Sequence, residues 1–216
     1  MNYGLEFTDT EFKLLKTFIY QQTGICLAEY KKPFLVSRLR KRLTSLRLNS
    51  FKEYYNYLTK HPAGQKEMMH MISLITTGKT QFFREKEHFE YLTNKVFPYF
   101  LKKAIAKQKI PKLYIWSAGC STGEEAYSLA MVANDYFSIY PQWEIEILAT
   151  DIDMKALNKA KSGIYTSKEI ASLPSSYGKR YFQKVKGQDL FKVKDVLKDL
   201  IVFKYFNLST DYFIFE

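Results

Sequence analysis

Residues 113–128, LYIWSAGCSTGEEAYS, decide the fold of this chain. An apolar run of strand length leads into a turn that contains Gly119 and Gly123, and an acidic helix start follows. A second apolar run, Ile145–Thr150, ends in Asp151. A glycine turn after the first strand lets the backbone approach a ligand, and an acid after the second strand can bind two ribose hydroxyls. The order of strand, turn, helix, strand and acid therefore predicts a Rossmann-like site for a nucleoside-bearing cofactor.

The chain divides into a helical first part and an α/β second part. Residues 1–72 predict a small all-helical domain, because apolar residues recur there at helical spacing between capping and stop signals. From residue 89 to residue 216, apolar runs of strand length alternate with helical patterns, which is typical of an α/β domain. Residues 73–88 link the two domains. Two short strand-like runs within about 178–200 predict a small antiparallel insertion with a hairpin turn.

The main sheet of the second domain is predicted from four strands, at residues 113–117, 145–150, 201–205 and 212–215. Helices are predicted at 89–107, with a kink at Pro98, at 124–138, and from Met154 to Gly163. The last strand reaches Glu216 without a following turn or helix. The sequence therefore predicts a Rossmann-like domain that is incomplete at its C-terminal end.

Basic residues outnumber acidic ones, 33 to 22, which gives a formal net charge of +11. This charge predicts a negatively charged partner: nucleic acid, an anionic lipid surface or an acidic protein surface. The predicted second helix concentrates it, since residues 31–47 contain seven basic residues and no acid. A stripe of leucines separates two basic flanks of this helix: Arg38, Lys41 and Arg42 on one, Arg40 and Arg47 on the other. The basic helix is either a docking surface or a solvated face.

The cysteines and the ends of the chain indicate a compartment. Cys26 and Cys120 are too few for a disulfide framework. The first residues lack the basic and apolar regions of a signal peptide, and no apolar run approaches 18 residues. We therefore expect a cytoplasmic protein with reduced thiols and no membrane insertion.

Two other catalytic motifs are matched only in part. Residues 119–123 fit the G-x-S-x-G elbow of α/β-hydrolases, but that site requires a histidine downstream of the serine. The three histidines all lie upstream, and their spacing fits no compact metal site: His61, His70 and His88. Gly78-Lys79-Thr80 resembles the end of a P-loop, but Ser73 stands where the first glycine is required. We therefore predict no hydrolase, no P-loop NTPase and no metal site.

Two acids follow the second strand of the predicted site, Asp151 and Asp153. Both could cap the helix that starts near Met154, and Asp153 is the better candidate for that cap. Asp151 lies at the carboxyl end of the strand, where ligands bind in open α/β sheets. We therefore predict that Asp151 contacts the ligand.

The whole chain resembles the chemotaxis receptor methyltransferases, the CheR family. Four ordered blocks carry the resemblance: Thr76–Arg84 to the family's TTNxTxFFR, Trp116–Ser128 to WSAxxSTGEExYS, Ala149–Asp153 followed by Ala160–Tyr165 to ATDID and A(R/K)xGxY, and Phe203–Leu208 to FxxxNL. The resemblance implies a helical N-terminal domain and a Rossmann-like methyltransferase domain. It also implies S-adenosylmethionine as the cofactor, S-adenosylhomocysteine as the product, and methyl esterification of receptor glutamates.

The resemblance also implies roles for individual residues. The implied contacts are Thr80, Arg84 and Glu125 with the methionine end of the cofactor, Asp151 with the ribose, and Asn207 and Leu208 with the adenine, while Gly119 and Gly78 complete the site. Gly78 replaces the family's usual asparagine. Arg84 is also the candidate catalytic residue; the alternative is a structural ion pair, for example with Glu87. The basic flank of Arg38, Lys41 and Arg42 would dock on acidic cytoplasmic helices of a chemoreceptor.

Three functions stay open on the sequence. A glutamate side chain is ionised at pH 7, so its methylation needs no general base, and the lack of histidine in the α/β part is compatible with it. A nucleic-acid methyltransferase would fit the net charge, but its usual Asn/Asp-Pro-Pro-aromatic element is missing, so we expect no nucleic-acid partner. A non-catalytic cofactor-binding or scaffold module would fit Gly78. We favour the receptor methyltransferase and expect a monomer.

Overall fold

The computed structural model describes residues 7–76, 78–105 and 111–212. Their contacts divide the chain into two units. The helical unit contains the described residues up to 76, residues 152–154 and residues 206–212, and the sheet unit contains residues 78–151 and 155–205. The predicted boundaries, 1–72, 73–88 and 89–216, describe a simple serial division. These boundaries stay predictions. The helical unit also contains two segments from later in the chain, which a serial division does not include.

Within its described residues, the helical unit contains four helices and one 3₁₀ turn: α1 (Asp9–Thr23), the turn (Glu29–Lys31), α2 (Lys32–Ser45), α3 (Phe51–Lys60) and α4 (Gly64–Ile75). Thr8 caps α1 in a reciprocal arrangement with Glu11, which satisfies two otherwise unpaired backbone donors. Gly24 ends α1 at a φ of +73°, a left-handed conformation that glycine adopts without strain. Ser50 caps α3 through the backbone N–H of Glu53.

The core of the helical unit follows the predicted leucine stripe. Leu35, Leu39 and Leu43 are fully buried, whereas Leu46, at the end of α2, is only partly buried. They pack in one cluster with aromatic and aliphatic side chains of the other helices. Helix α4 begins at Gly64. A Cβ atom at that position would lie 2.4 Å from the carbonyl oxygen of Leu58, so only glycine fits there.

The sheet unit begins with an interrupted helix: α5 (Lys86–Tyr91), a π turn (Leu92–Val96) and α6 (Phe97–Ile105). The prediction of one helix over 89–107 with its kink at Pro98 was wrong in its detail. The N–H of Phe97 donates to the carbonyl of Leu92, so the widened turn precedes the proline. Pro98 lies in the first turn of α6, where its missing N–H is tolerated.

The remaining elements of the sheet unit are β1 (Lys112–Ala118), α7 (Glu124–Phe137), β2 (Glu144–Asp151), α8 (Met154–Ser162), β3 (Ile164–Thr166), α9 (Ser167–Ile170), α10 (Ser175–Tyr181), β4 (Phe182–Lys184), β5 (Leu190–Val193), α11 (Asp195–Lys198) and β6 (Ile201–Tyr205). Strands β1, β2 and β6 form a parallel sheet in that order. Leu113 pairs with Ile145, and Ile147 pairs with Ile201. These three strands were predicted. Of the predicted fourth strand, Tyr212 is described without regular structure, and residues 213–215 lie outside the described part.

A second, antiparallel sheet has the order β3, β5, β4. Its hairpin, β4 to β5, is the one predicted within 178–200. Strand β3 was not predicted, because three residues directly after a helix give too short an alternating pattern. Tyr165 in β3 is fully buried and stacks edge-on against Phe82, which shows why this short strand belongs to the core. None of the helices in the described ranges combines the length and the apolar character needed to cross a bilayer.

Candidate cofactor site

The turn between β1 and α7 is held against the end of β2. The backbone N–H groups of Gly119 and Cys120 both donate to the carbonyl of Thr150, each at 2.8 Å. Gly119 has a φ of +79°, and nothing lies within 4 Å of the position its Cβ would take. Backbone conformation, and not lack of space, therefore requires glycine there. The predicted glycine turn is present, and Gly119 leaves one side of it open.

Gly123, the second glycine of the turn, is required for two reasons. Its φ is +96°, and a Cβ would lie 2.8 Å from the Cβ of Ala160 and 3.0 Å from the hydroxyl of Tyr165. That hydroxyl donates to the carbonyl of Thr122 at 2.6 Å. The first turn of α7 is therefore locked against α8 and β3.

Asp151 meets the glycine turn directly. Its carboxylate accepts a hydrogen bond from the backbone N–H of Ser121, at 2.7 Å from Oδ2. Ser121 has a φ of +49°, which is left-handed for a residue that carries a side chain. The structure therefore joins the acid at the end of β2 to the turn after β1, as the strand order predicts for a nucleoside site.

Two glutamates open helix α7 and have different surroundings. Glu125 is exposed, and its carboxylate accepts a hydrogen bond from the buried hydroxyl of Ser117 at 2.7 Å. Glu124 is buried and accepts from the hydroxyl of Thr122 at 2.6 Å. Burial raises the pKa of Glu124 above its ordinary value, although the hydrogen bond from Thr122 opposes that shift. Glu125, the predicted cofactor residue, is thus the one that a ligand can reach.

Residues 78–84 carry three of the predicted cofactor residues and are anchored by an aromatic side chain. Phe82 is buried against Tyr165 and Phe182. Thr80 and Arg84 line an open groove of the same unit. Gly78 lies beside the glycine turn, where its carbonyl accepts from the Ser121 hydroxyl at 3.4 Å. The structure therefore brings Gly78, the turn and Asp151 together.

Arg84 is exposed and has two neighbours within this segment. Its Nη1 donates to the carbonyl of Lys79 at 2.9 Å, and its Nε lies 3.8 Å from the carboxylate of Glu85. The acid near Arg84 is therefore Glu85, whereas the expected example of an ion-pair partner was Glu87. A catalytic role for Arg84 stays a prediction.

Asn207 and Leu208 belong to the helical unit. Asn207 is buried; its amide donates to the carbonyl of Gln22 at 3.0 Å and accepts from the N–H of Ser209 at 3.0 Å. The bond to Gln22 attaches the segment to the end of α1. Leu208 is 61% exposed. Their contact with an adenine stays a prediction.

The basic flank of α2 divides into two kinds of residue. Arg42 forms a two-point ion pair with the buried Glu67, at 2.9 Å from Nε and 2.5 Å from Nη2, and the hydroxyl of Tyr54 donates to the same carboxylate at 2.9 Å. Arg38 and Lys41 are exposed, and within the described part of the chain neither forms a salt bridge. The guanidinium of Arg38 lies 5.2 Å from the ring centre of Phe34. Arg42 therefore supports the fold, whereas the other two predicted docking residues face outward.

Three features were not recognised from the sequence. Asp153, the predicted cap of α8, accepts hydrogen bonds from Ser73 at 2.5 Å and Thr76 at 3.2 Å. Cys120 is buried, and burial together with the charge of Asp151 raises its thiol pKa to about 12, so the thiolate nucleophile is disfavoured. Ser121 was passed over because a non-glycine residue gives no sequence signal for a positive φ. No group of three or more potential metal ligands occurs in residues 7–76, 78–105 and 111–212.

The parallel sheet, the glycine turn and the acid at the end of β2 define a Rossmann-like domain of the class that binds nucleoside cofactors. Comparison with known families makes this specific. The family domain described as "CheR methyltransferase, SAM binding domain" matches residues 78–215, and "CheR methyltransferase, all-alpha domain" matches residues 10–76. The chain belongs to the CheR methyltransferase family. The match indicates S-adenosylmethionine as the methyl donor.

Several relatives match over nearly the whole chain. A chemotaxis protein methyltransferase of Borreliella burgdorferi is 37% identical over 216 residues, which cover 100% of this chain and 75% of the relative. One of Escherichia coli is 35% identical over 211 residues, 96% of this chain and 69% of the relative. Chemotaxis protein methyltransferase 2 of Pseudomonas aeruginosa is 34% identical over 212 residues, 96% of this chain and 71% of the relative. The resemblance predicted from the four blocks is therefore confirmed.

Proposed function

We propose that this protein transfers a methyl group from S-adenosylmethionine to glutamate side chains in the cytoplasmic helices of chemoreceptors, forming glutamyl methyl esters in chemotactic adaptation. The observation that carries the proposal is the contact between Asp151 and the backbone of Ser121, which joins the strand-end acid to the glycine turn. This geometry fits a nucleoside, because the turn is open at Gly119 and the acid lies where ribose hydroxyls bind. The relatives' names supply the pathway.

The residues of the chain would bind and orient the two reactants. When bound, S-adenosylmethionine supplies a methyl group on a positively charged sulfur. Asp151 would accept hydrogen bonds from the ribose, and Thr80, Arg84 and Glu125 would hold the amino-acid end. A receptor glutamate is already ionised at neutral pH, so no residue has to remove a proton. Catalysis then depends on holding the carboxylate about 3–3.5 Å from the methyl carbon.

The outward basic residues of α2 would dock the receptor. Arg38 and Lys41 lie one turn apart on one side of the helix, and an acidic receptor helix would complement their charge. Arg42 is left out of this surface, because its guanidinium neutralises Glu67. Lys31 and Arg38 both lie near the ring of Phe34, at 5.5 and 5.2 Å, so the surface combines charge with an aromatic group. We propose a cytoplasmic monomer that acts on this partner and not on nucleic acid.

The decisive experiment incubates the protein with methyl-labelled S-adenosylmethionine and either receptor cytoplasmic fragments or nucleic acid. Base-labile label on the receptor fragment supports the proposal, because methyl esters hydrolyse in alkali. Label on nucleic acid would instead support the nucleic-acid methyltransferase, and cofactor binding without transfer would support the scaffold module. Asp151→Ala serves as the matched control, since it removes the carboxylate and leaves the turn glycines in place.

A further inference from the structure

We propose that Ser121 is a positioning residue for S-adenosylmethionine: it holds the glycine turn, the Asp151 carboxylate and the segment at Gly78 in one arrangement. This inference rests on the proposed cofactor site. It goes beyond that site because Ser121 was assigned no contact with the cofactor. Three observations carry it: the backbone conformation of Ser121, the groups that it joins, and the space beside Gly78.

The backbone of Ser121 is held in an unfavourable conformation. Its φ of +49° lies in the left-handed region, where a Cβ is crowded by the backbone. The turn has glycine at positions 119 and 123, and glycine at 121 would adopt the same φ without steric cost. Strained residues of this kind persist where the surrounding structure requires them, often at binding sites. Serine at this position therefore places a hydroxyl on the turn where glycine would be free of strain.

Ser121 touches the two segments that flank the turn. Its N–H donates to Asp151 at 2.7 Å, which fixes one carboxylate oxygen. Its hydroxyl lies 3.4 Å from the carbonyl of Gly78, at the beginning of the segment that carries Thr80 and Arg84. One residue therefore connects the predicted ribose contact with the predicted contacts to the methionine end.

The absence of a side chain at Gly78 makes room for this hydroxyl. A Cβ at residue 78 would lie 3.0 Å from the Ser121 Oγ, which is closer than an ordinary van der Waals contact. An alanine at 78 would therefore crowd the hydroxyl in its present rotamer. Ser121 and Gly78 are in contact, so substitutions at the two positions should not be additive.

The test compares Ser121→Gly with the unchanged protein, using calorimetric binding of S-adenosylhomocysteine and thermal unfolding. The variant keeps the backbone N–H to Asp151, loses the hydroxyl and relieves the strain. We expect affinity to fall about 3- to 10-fold, the scale of one lost neutral hydrogen bond, while the melting temperature stays the same or rises. The matched control is Arg47→Gly, at a φ of +58° in the helical unit, which should leave affinity unchanged.

Kinetics and a second substitution separate positioning from general stability. A positioning role predicts a raised KM for S-adenosylmethionine with kcat changed less than about twofold, whereas loss of folded protein lowers kcat alone. Gly78→Ala should weaken S-adenosylhomocysteine binding to a similar degree, and the double variant should be no weaker than either single one.

The possible outcomes are distinct. Unchanged affinity in Ser121→Gly, or fully additive effects in the double variant, would overturn the proposal. A joint fall in affinity and melting temperature would assign Ser121 to the stability of the turn and overturn it as well. If the unchanged protein itself does not bind S-adenosylhomocysteine, the proposed function fails first, so the two failures are distinguishable.

Discussion

Two acidic side chains, one in each unit, are held by different kinds of partner. Glu67 in the helical unit is 3% exposed, and its carboxylate accepts hydrogen bonds from the side chains of Arg42 and Tyr54. Asp151 in the sheet unit is half-buried at a strand end, and the backbone of the glycine turn donates to it. Side-chain partners from the same core point to a structural acid. Asp151 contacts the glycine turn instead, at the position proposed for ribose binding.

The basic residues of α2 also differ in whether they contact a buried acid. Arg42 reaches the buried carboxylate, so its charge stabilises the fold. Arg38 and Lys41, three residues apart on the same helix, are exposed. Arg38 and Lys41 are therefore the residues of this flank that we propose for docking.

The largest expected effect is the loss of the buried pair. Glu67→Ala should lower the free energy of unfolding by about 3 kcal/mol, because it leaves Arg42 charged and Tyr54 without its acceptor in a buried site. Urea unfolding measures the change. Both tryptophans, Trp116 and Trp143, lie in the sheet unit, so fluorescence reports that unit while far-UV circular dichroism reports the helices.

An exposed ion pair provides the control for this prediction. Glu29 pairs with Lys16 at 2.8 Å, but the Glu29 side chain is 70% exposed. Glu29→Ala should therefore cost less than about 0.5 kcal/mol. If the two substitutions destabilise the protein equally, burial is not what distinguishes Glu67.

The next effect concerns the ligand side of the comparison. Asp151→Ala should weaken S-adenosylhomocysteine binding by roughly 1–3 kcal/mol, the scale of lost charge-assisted hydrogen bonds. Calorimetry measures it. Asp151→Asn is the matched control, since its amide oxygen can still accept from Ser121, and it should lose less. Unchanged binding in Asp151→Ala would remove Asp151 from the cofactor site.

A smaller effect is expected at the outward face of α2. Charge reversal of Arg38 and Lys41 to glutamate should reduce kcat/KM for receptor methylation roughly tenfold and leave cofactor affinity unchanged. The rate of the unchanged protein should also fall with added salt, because the docking contact is charged and exposed. Arg42 is kept, since replacing it would break the pair with Glu67.

The opposite flank of α2 supplies the control for docking. Arg40→Glu on α2, combined with Arg47→Glu just past the end of the helix, makes the same change in net charge away from the proposed docking flank; the sequence prediction had placed Arg47 on the helix itself. Equal loss in both double variants would mean that net charge, and not a specific surface, guides the receptor. Normal methylation in the Arg38 and Lys41 variant would make this flank a solvated face.

Local patterns allowed most elements to be predicted from the sequence. The leucine stripe of α2 and the glycine turn depend on residues close in the chain. The family resemblance added the identity of the cofactor, which spacing alone left open. What could be predicted was therefore what short segments encode.

Features that depend on distant residues could not be predicted. Arg42 was grouped with Arg38 and Lys41 because its partner, Glu67, lies 25 positions away on another helix. Asn207 bonds to the backbone near residue 22, a separation of 185 positions. The π turn before Pro98 had no sequence signal beyond the proline itself. In each case the missing information was which elements pack together.

The smallest expected effect is the contribution of Glu67 to stability at low pH. Burial raises the pKa of Glu67, but hydrogen bonds from Arg42 and Tyr54, with the charge of Arg42, outweigh burial and hold the pKa below its ordinary value of 4.5. A carboxyl group whose pKa is lower in the folded state stabilises the protein above its unfolded pKa. That contribution is lost as pH falls through the folded pKa. Stability should therefore decline more below about pH 4.5 than in Glu67→Gln, whose side chain does not titrate. Urea midpoints between about pH 3 and 7 measure the difference in stability between the unchanged protein and Glu67→Gln.

His70 lies 3.4 Å from the same carboxylate, so the series is repeated in His70→Ala to remove the contribution of the histidine. Parallel curves for the unchanged protein and Glu67→Gln would mean that the ion pair does not lower the pKa of Glu67, and the contrast with Asp151 would then rest on burial alone.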